Sequence, residues 1–449
     1  MLLTVMFILA LSHSARVYVK LKMHFFLNHR SKSLKPTTMN ILVIGSGGRE
    51  HALCYALKKS PQCKALYCIP GNAGIAEVAK CENIRITDFD SIVEFCRENL
   101  VNFVIVGPEA PLVEGITDFL EDRGIKVFGP SKAAARLEAS KIFTKQICEK
   151  ANIPTAKSRS FTNAAEAKEY IKELGAPIVI KADGLAAGKG VVVAENLEQA
   201  LEAVDDILVE KNFGDAGNEI LVEEFMQGRE LSFFIATNGD KVFEFGTACD
   251  YKRAYDGNLG LNTGGMGTFS PADMVDEALR IEIMDKIINP TLKTMKEMGC
   301  PYKGFLFAGL MLTDEGAKLI EYNCRMGDPE TQSILPRLEN DIVEILLGHQ
   351  KPQLSKETAL CVVMAAEGYP KSYVKNTEIK GLEAVEDAII FHAGTAKREG
   401  KLVNTGGRVL GIVAVAETLA TAKEKAYAAV SKINWPQGFY RKDIGEIYD

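Results

Sequence analysis

At 449 residues the chain exceeds what one ordinary hydrophobic core organises, and its length points to about three domains. With 47% hydrophobic and 25% charged residues its composition is that of a globular protein. The net charge is −6, but the first 38 residues hold Arg16, Lys20, Lys22, Arg30, Lys32 and Lys35 and no acid; without those six, 47 Lys+Arg face 59 Asp+Glu, and a body at −12 argues against nonspecific nucleic-acid binding.

Residues 1–11 are apolar but follow no basic segment and are too short to span a membrane. Residues 1–38 are read as a disordered or misassigned extension, because Met39 directly precedes the first clear structural unit. The run Asn40-Ile41-Leu42-Val43-Ile44 predicts a buried strand, and a glycine loop with Gly45, Gly47 and Gly48 leads into a helical pattern. Strand, glycine loop and helix start make a cradle of backbone N–H groups for an anion. The dinucleotide fingerprint requires a small residue where Glu50 stands, so NAD is weakly supported, and the glycines also read as plain turn punctuation. Residues 65–69, 103–106 and 126–128 are further strands, the second opening into Gly107, Pro108 and Glu109. Residues 39–138 are thus expected to form a small doubly wound α/β domain with ligands at the carboxyl edge of its sheet.

Residues 139–349 make a second region. Lys141 and Lys145 share a helix face, a pattern that fits solvent as well as phosphate. Two apolar strands, 178–180 and 191–193, flank a glycine-rich turn with Lys181 on the first strand and Lys189 at the tip. The turn is longer than a tight hairpin needs and lacks the P-loop order. It reads as a flap over a polyphosphate. Leu221 to Phe225 is an apolar strand ending in Glu223 and Glu224, with Glu230 beyond it. The loop with Asn262, Thr263, Gly264 and Gly265 is long and polar enough to be functional. Strands at 305–311 and 317–324 are expected to pair antiparallel, which puts Glu321, Asn323 and Arg325 on one face. A carboxylate and an amide carbonyl two residues apart suit Mg²⁺. Arg325 beside them suits an anion. Asp328-Pro329-Glu330 then reads as a helix start. Residues 350–358 look like a linker, and 359–449 a compact α+β unit in which His392 is either core or cleft lining. The ten cysteines, free of CxxC or metal spacing, read as reduced thiols of a cytoplasmic protein.

Assembled, residues 40–445 resemble the phosphoribosylamine–glycine ligases (glycinamide ribonucleotide synthetases) of the ATP-grasp superfamily. The run Arg325-Met326-Gly327-Asp328-Pro329-Glu330-Thr331-Gln332 resembles their signature, and loops at 45–51, 107–111, 181–190, 262–267, 392–395 and 404–410 agree in order and spacing. The resemblance implies an ATP-grasp fold between a small doubly wound α/β domain and a small α+β domain, with a flap subdomain at about 155–230. It implies ATP and Mg²⁺ or Mn²⁺ as cofactors, glycine and phosphoribosylamine as substrates, no nucleic acid or membrane partner, and a monomer or weak homodimer. The reaction implied makes glycinamide ribonucleotide, ADP and phosphate through glycyl phosphate, in de novo purine biosynthesis. Glu321 and Asn323 would ligate metal; Lys141, Lys181 and Lys189 would reach ATP phosphates; Glu223, Glu224 and Phe225 would frame adenine, with Glu230 on the ribose. Arg325 and Asp328, with Lys181 and Lys189, would serve the chemistry. Gly45, Gly47, Gly48, Gly107, Pro108, Glu109 and residues 262–265 would hold substrate. Tyr251 and Leu261 depart from the His and Pro common in that family. The alternatives are another ATP-grasp carboxylate–amine ligase, a dinucleotide-binding oxidoreductase and an idle binding module.

Overall fold

A computed structural model describes residues 38–185 and 190–447; the extension over residues 1–37 and Lys189 lie outside them. Among the described residues the first sheet is five-stranded and all parallel, in the order β3-β2-β1-β4-β5. Its strands are β1 (Met39–Gly45), β2 (Cys63–Pro70), β3 (Lys80–Cys81), β4 (Phe103–Val106) and β5 (Lys126–Phe128). Ile41 to Ile44 are fully buried, as the continuous apolar run of a sheet covered on both faces requires. Helix α1 (Gly48–Lys58) leaves the loop after β1. Two further helices, α2 (Lys132–Ala139) and α3 (Lys141–Ala151), meet at Ser140, whose hydroxyl caps α3 by accepting from the Phe143 N–H.

A four-stranded antiparallel sheet follows: β6 (Ser158–Phe161), β7 (Ile178–Ala182), β8 (Val191–Ala194) and β9 (Ile220–Glu224), ordered β6-β9-β7-β8. The expected flap strands are therefore β7 and β8, in antiparallel register.

Nine of the remaining strands build one sheet. Its first half comprises β10 (Arg229–Thr237), β11 (Val242–Asp250), β14 (Gly267–Ser270), β15 (Gly304–Thr313) and β16 (Gly316–Asn323), with the hairpin β12 (Arg253–Tyr255) and β13 (Leu259–Asn262) set apart. Strand β14 pairs with β11 on one side and with β17 (Thr358–Ala366) on the other, so the sheet continues unbroken into β18 (Ile389–His392) and β21 (Arg408–Ala416). Strands β19 (Thr395–Arg398) and β20 (Lys401–Asn404) form a separate pair, and β22 (Gly438–Phe439) joins the edge of β17. Residues 350–358, expected as a linker, are strapped down: Ser355 N–H donates to Arg337 O and Glu339 N–H to Gln353 O. The first sheet docks on the large one through aromatics, Phe128 meeting Phe305 edge-on at 4.9 Å beside the stacked pair Phe234 and Phe307 at 4.7 Å. Each such buried ring contributes about 1.5–3 kcal/mol, which fixes the carboxyl edge of the first sheet against β15 and β16.

Candidate active site

Strands β15 and β16 pair as the alternation predicted, with one change. Gly309 faces Glu321 and Leu310 faces Leu319, which leaves Ile320 as a bulge. Before it Ala317 and Leu319 point into the core; after it Tyr322 turns in and Glu321 and Asn323 turn to the cleft. The bulge rephases the strand, so one segment both fills the core and presents two oxygen donors. Among the described residues no hydrogen bond engages the Glu321 carboxylate. The Asn323 amide donates through Nδ2 to Glu138 at 3.0 Å, leaving its carbonyl oxygen as the available atom.

Cations face this strand end. Lys181, on β7, donates to the bulge carbonyl of Ile320 at 3.3 Å and lies 2.6 Å from Glu223 Oε2. Lys145 lies 2.9 Å from the other Glu223 oxygen, outside hydrogen-bond geometry. Lys141 reaches the carbonyl of Gly184 at 3.0 Å, while Asp183 accepts from Ser140 Oγ and the Ile142 N–H at the start of α3. Lys141 and Lys145 are thus largely buried and paired, not a solvated face. Burial pulls the Lys141 pKa below its ordinary value, with the Glu321 carboxylate opposing, and does the same to Lys145 against Glu223. For Glu223 burial is outweighed by the two ammonium groups, so its carboxyl stays below the usual range. Glu223 accordingly sets the lysines, while Glu224, bonded to the Lys157 N–H at 3.0 Å, and the exposed Phe225 lie at the strand's open end. The exposed Glu230 pairs with Lys252 at 2.7 Å, which lowers its pKa.

Past β16 the signature run crosses to the first sheet. Arg325 binds Glu109 at 3.2 Å and Glu138 at 3.0 Å, so the guanidinium is held between two carboxylates. Asp328 accepts from the Arg49 N–H at 3.3 Å and from Gln332 Nε2 at 2.8 Å, and Arg408 stands 3.5 Å away. Burial works against that charge, but Arg408 and Arg49 keep the Asp328 carboxyl below its ordinary pKa. Helix α4 (Glu330–Ile334) starts where the sequence suggested, with Pro329 immediately before its first residue. Glu330 is buried and accepts from Ser232 Oγ at 3.2 Å, so it faces the sheet.

Glycines let the chain close over Glu50. A Cβ at Gly107 would stand 2.0 Å from Glu50 Oε1 and one at Gly45, where φ is +129°, 2.5 Å from its Cδ. Glu50, 2% exposed, accepts from the Gly47 N–H at 2.6 Å and from Arg49 Nε at 2.6 Å. With its carboxylate on the Gly47 N–H, Glu50 counts against the NAD reading, which calls for a small residue there. Pro108 precedes the helix that carries Glu109. The 262–265 loop is clamped too: Thr263 N–H and Oγ1 donate to Lys252 O, Arg408 donates to the Gly264 and Gly265 carbonyls, and Asn262 stays exposed. Behind it burial and repulsion from Glu330 raise the Asp250 pKa.

Two other expectations resolve. His392 is core: its N–H donates to His51 Nδ1 at 2.8 Å, and burial pushes the two imidazoles down to about 4 for His392 and about 3 for His51. Tyr251 is buried, its hydroxyl donating to Glu446 O at 2.7 Å and accepting from the Gly445 N–H at 2.9 Å, so it fastens the carboxyl-terminal segment.

Comparison with known proteins bears directly on this arrangement. Family models of phosphoribosylglycinamide synthetase match over residues 39–138 (N domain), 139–331 (ATP-grasp A domain) and 359–447 (C domain). The chain belongs to this family. Phosphoribosylamine–glycine ligase from Brucella melitensis is 50% identical over 417 residues, covering 91% of this chain and 97% of that protein. The chloroplastic enzyme of Arabidopsis thaliana is 52% identical, covering 94% and 84%. The crystal structure of the Thermotoga maritima phosphoribosylamine–glycine ligase superposes with a TM-score of 0.79 at 34% identity, covering 90% of this chain and all of that one.

Family membership leaves the metal to be tested on this chain. Mg²⁺ and Mn²⁺ take hard oxygen donors, often one or two from protein with the rest from phosphate and water. A carboxylate free of hydrogen bonds and an amide whose carbonyl alone is available fit that requirement. Sequence reasoning missed Glu138, Arg49, Asp183 and Lys252 as members of the constellation. Each lies far along the chain from its partner, and only the Ser140 helix cap after Glu138 hinted that a structured turn lay there.

Proposed function

We infer that the chain joins glycine to phosphoribosylamine at the expense of ATP, giving glycinamide ribonucleotide, ADP and phosphate in purine biosynthesis. One observation carries the reading: the run from Ile320 to Gln332 touches Lys181 at one end and the Arg49 N–H in the first turn of α1 at the other, which supports one segment serving both reactants. A carboxylate is a poor electrophile in water. Attack of the glycine carboxylate on the γ-phosphorus of ATP turns it into an acyl phosphate, and the 1-amino group of phosphoribosylamine displaces phosphate from that carbonyl carbon.

Each residue's share is positioning and charge. Glu321 and Asn323 would hold a divalent ion, Mg²⁺ or Mn²⁺, which supplies charge neutralisation on the transferred phosphoryl group. Lys141 and Lys181 meet phosphate oxygens and Glu223 keeps Lys181 in place, while Lys189, expected to reach the phosphates too, lies outside the described residues. Residues 223–225 and Glu230 receive adenine and ribose. Arg325 turns toward the glycine carboxylate from its seat between Glu109 and Glu138, and Asp328 receives the ammonium group of glycine. Gly45, Gly47, Gly48, Gly107, Pro108 and residues 262–265 enclose the ribose phosphate. Ten free cysteines suit a reducing compartment such as the cytoplasm, and among the described residues no helix is long and apolar enough to cross a membrane. The test is ADP release: it should require glycine and rise on adding freshly generated phosphoribosylamine, and indifference to both would refute the reading.

A further inference from the structure

We propose that Glu138 is the positioning residue of the metal end of this site, one carboxylate that orients the Asn323 amide and seats the Arg325 guanidinium together. The proposal rests on the reading of Glu321 and Asn323 as metal donors. Glu138 is the penultimate residue of α2, just before the Ser140 turn, and only 9% exposed. Its Oε1 accepts from Asn323 Nδ2 at 3.0 Å and from Arg325 Nη2 at 3.0 Å, and its Oε2 accepts from the Cys324 N–H at 2.7 Å. Three consecutive residues, Asn323, Cys324 and Arg325, thus donate to one side chain.

The chemistry follows from what each group can do. An asparagine amide has a donor end and an acceptor end that are alike in shape, and nothing in its own sterics decides which faces a metal. A carboxylate accepts only. Facing the Asn323 amide at 3.0 Å, it admits the NH₂ end and repels the oxygen, so Oδ1 must turn to the cleft. The same carboxylate, with Glu109 on the other side, seats the Arg325 guanidinium by direct contact at 3.0 Å and 3.2 Å. The Cys324 bond fixes the backbone between the two, so the spacing from metal donor to anion-binding cation is set by one residue outside the strand. Groups that orient metal ligands in this way change metal affinity by about 10- to 100-fold when altered.

The experiment is a Mn²⁺ titration of the full chain with ADP, followed by electron paramagnetic resonance of free Mn²⁺, on wild type, Glu321→Gln, Glu138→Gln, Asn323→Asp and the Glu138→Gln/Asn323→Asp double variant. Glu138→Gln presents an NH₂ group that the Asn323 oxygen will turn to meet, and Mn²⁺ should bind about tenfold more weakly or worse, with metal-free ADP binding unchanged. Aspartate at 323 has two equivalent oxygens and no orientation to lose, so in that background Glu138→Gln should not weaken Mn²⁺ and, by removing the repulsion between two neighbouring carboxylates, should hold or raise the affinity. Mn²⁺ affinity within twofold of wild type in Glu138→Gln, or the same loss in both backgrounds, overturns the proposal and leaves Glu138 a structural tie. Should Glu138→Gln alone not fold, the double variant decides against Asn323→Asp: equal or tighter Mn²⁺ binding supports orientation, a tenfold loss refutes it. If Glu321→Gln leaves Mn²⁺ binding untouched, the metal reading itself fails and the proposal falls with it, an outcome distinct from the others.

Discussion

Replacing Glu223 by glutamine removes the carboxylate shared by Lys145 and Lys181 while keeping its volume. The side chain is 3% exposed, its partners are 13% and 5% exposed, and the contacts are 2.9 and 2.6 Å. Removing one partner of a buried ion pair costs roughly 3–5 kcal/mol because the remaining charge is stranded. Lys145 keeps Thr155 Oγ1 and Ala156 O as acceptors, both at 2.8 Å, and Lys181 keeps Ile320 O, so the low end of that range applies, about 3 kcal/mol. Because β9 carries Glu223 and β7 carries Lys181, the loss falls on the four-stranded sheet. In native-state hydrogen exchange the amides of Ile178–Ala182 should exchange about a hundredfold faster, since each 1.4 kcal/mol is tenfold, while those of Met39–Gly45 keep their rate. The pH sign follows from the depressed Glu223 pKa: its stabilisation is present above the ordinary carboxylate value near 4.5 and lost as pH falls below it, so the difference between wild type and variant should close in acid. Acceleration under threefold at neutral pH would refute the claim that Glu223 works by holding the lysines.

Three further outcomes are expected. Glu321→Gln should fold normally and lose most turnover, because a neutral amide cannot balance metal and phosphate charge; ordinary kcat at ordinary Mg²⁺ would contradict it. Gly107→Ala places a methyl group 2.0 Å from Glu50 Oε1, which must swing away and release the Gly47 N–H, so KM for phosphoribosylamine should rise at least tenfold with KM for ATP unchanged in steady-state kinetics. His51 and His392 are neutral when folded and ionise near 6.5 when unfolded, so the unfolded chain takes up more protons and thermal stability should fall between pH 6.5 and about 4; His51→Asn, whose Oδ1 can replace Nδ1 as acceptor for the His392 N–H, should flatten that fall in calorimetry.

The parts legible in the sequence are those set by short-range pattern. The strands 103–106 and 126–128 match the observed Phe103–Val106 and Lys126–Phe128, because an apolar run bounded by Gly and Pro has few other solutions. The β15–β16 hairpin and its Glu321/Asn323 face were legible from a period of two, but the Ile320 bulge was not, since nothing in Leu-Ile-Glu announces a register change. The burial of Lys145 against Glu223 was hidden as well, because it depends on a strand almost eighty residues on. Arg325 was read as a cation for an anion beside the metal, and its holders, Glu109 and Glu138, are 216 and 187 residues away. The continuity of the large sheet through β14 was hidden for the same reason: a four-residue strand between a glycine-rich loop and a proline carries too little pattern to declare both its neighbours.

The central claim is that glycine is activated by phosphoryl transfer to its carboxylate and not through the protein or an adenylate. The most direct measurement uses glycine labelled with oxygen-18 in its carboxylate, with ATP and freshly generated phosphoribosylamine, and mass spectrometry of the released phosphate. One labelled oxygen should appear in phosphate for each amide formed, and Arg325→Ala should depress transfer and amide formation together. Unlabelled phosphate accompanying full amide formation would contradict the account.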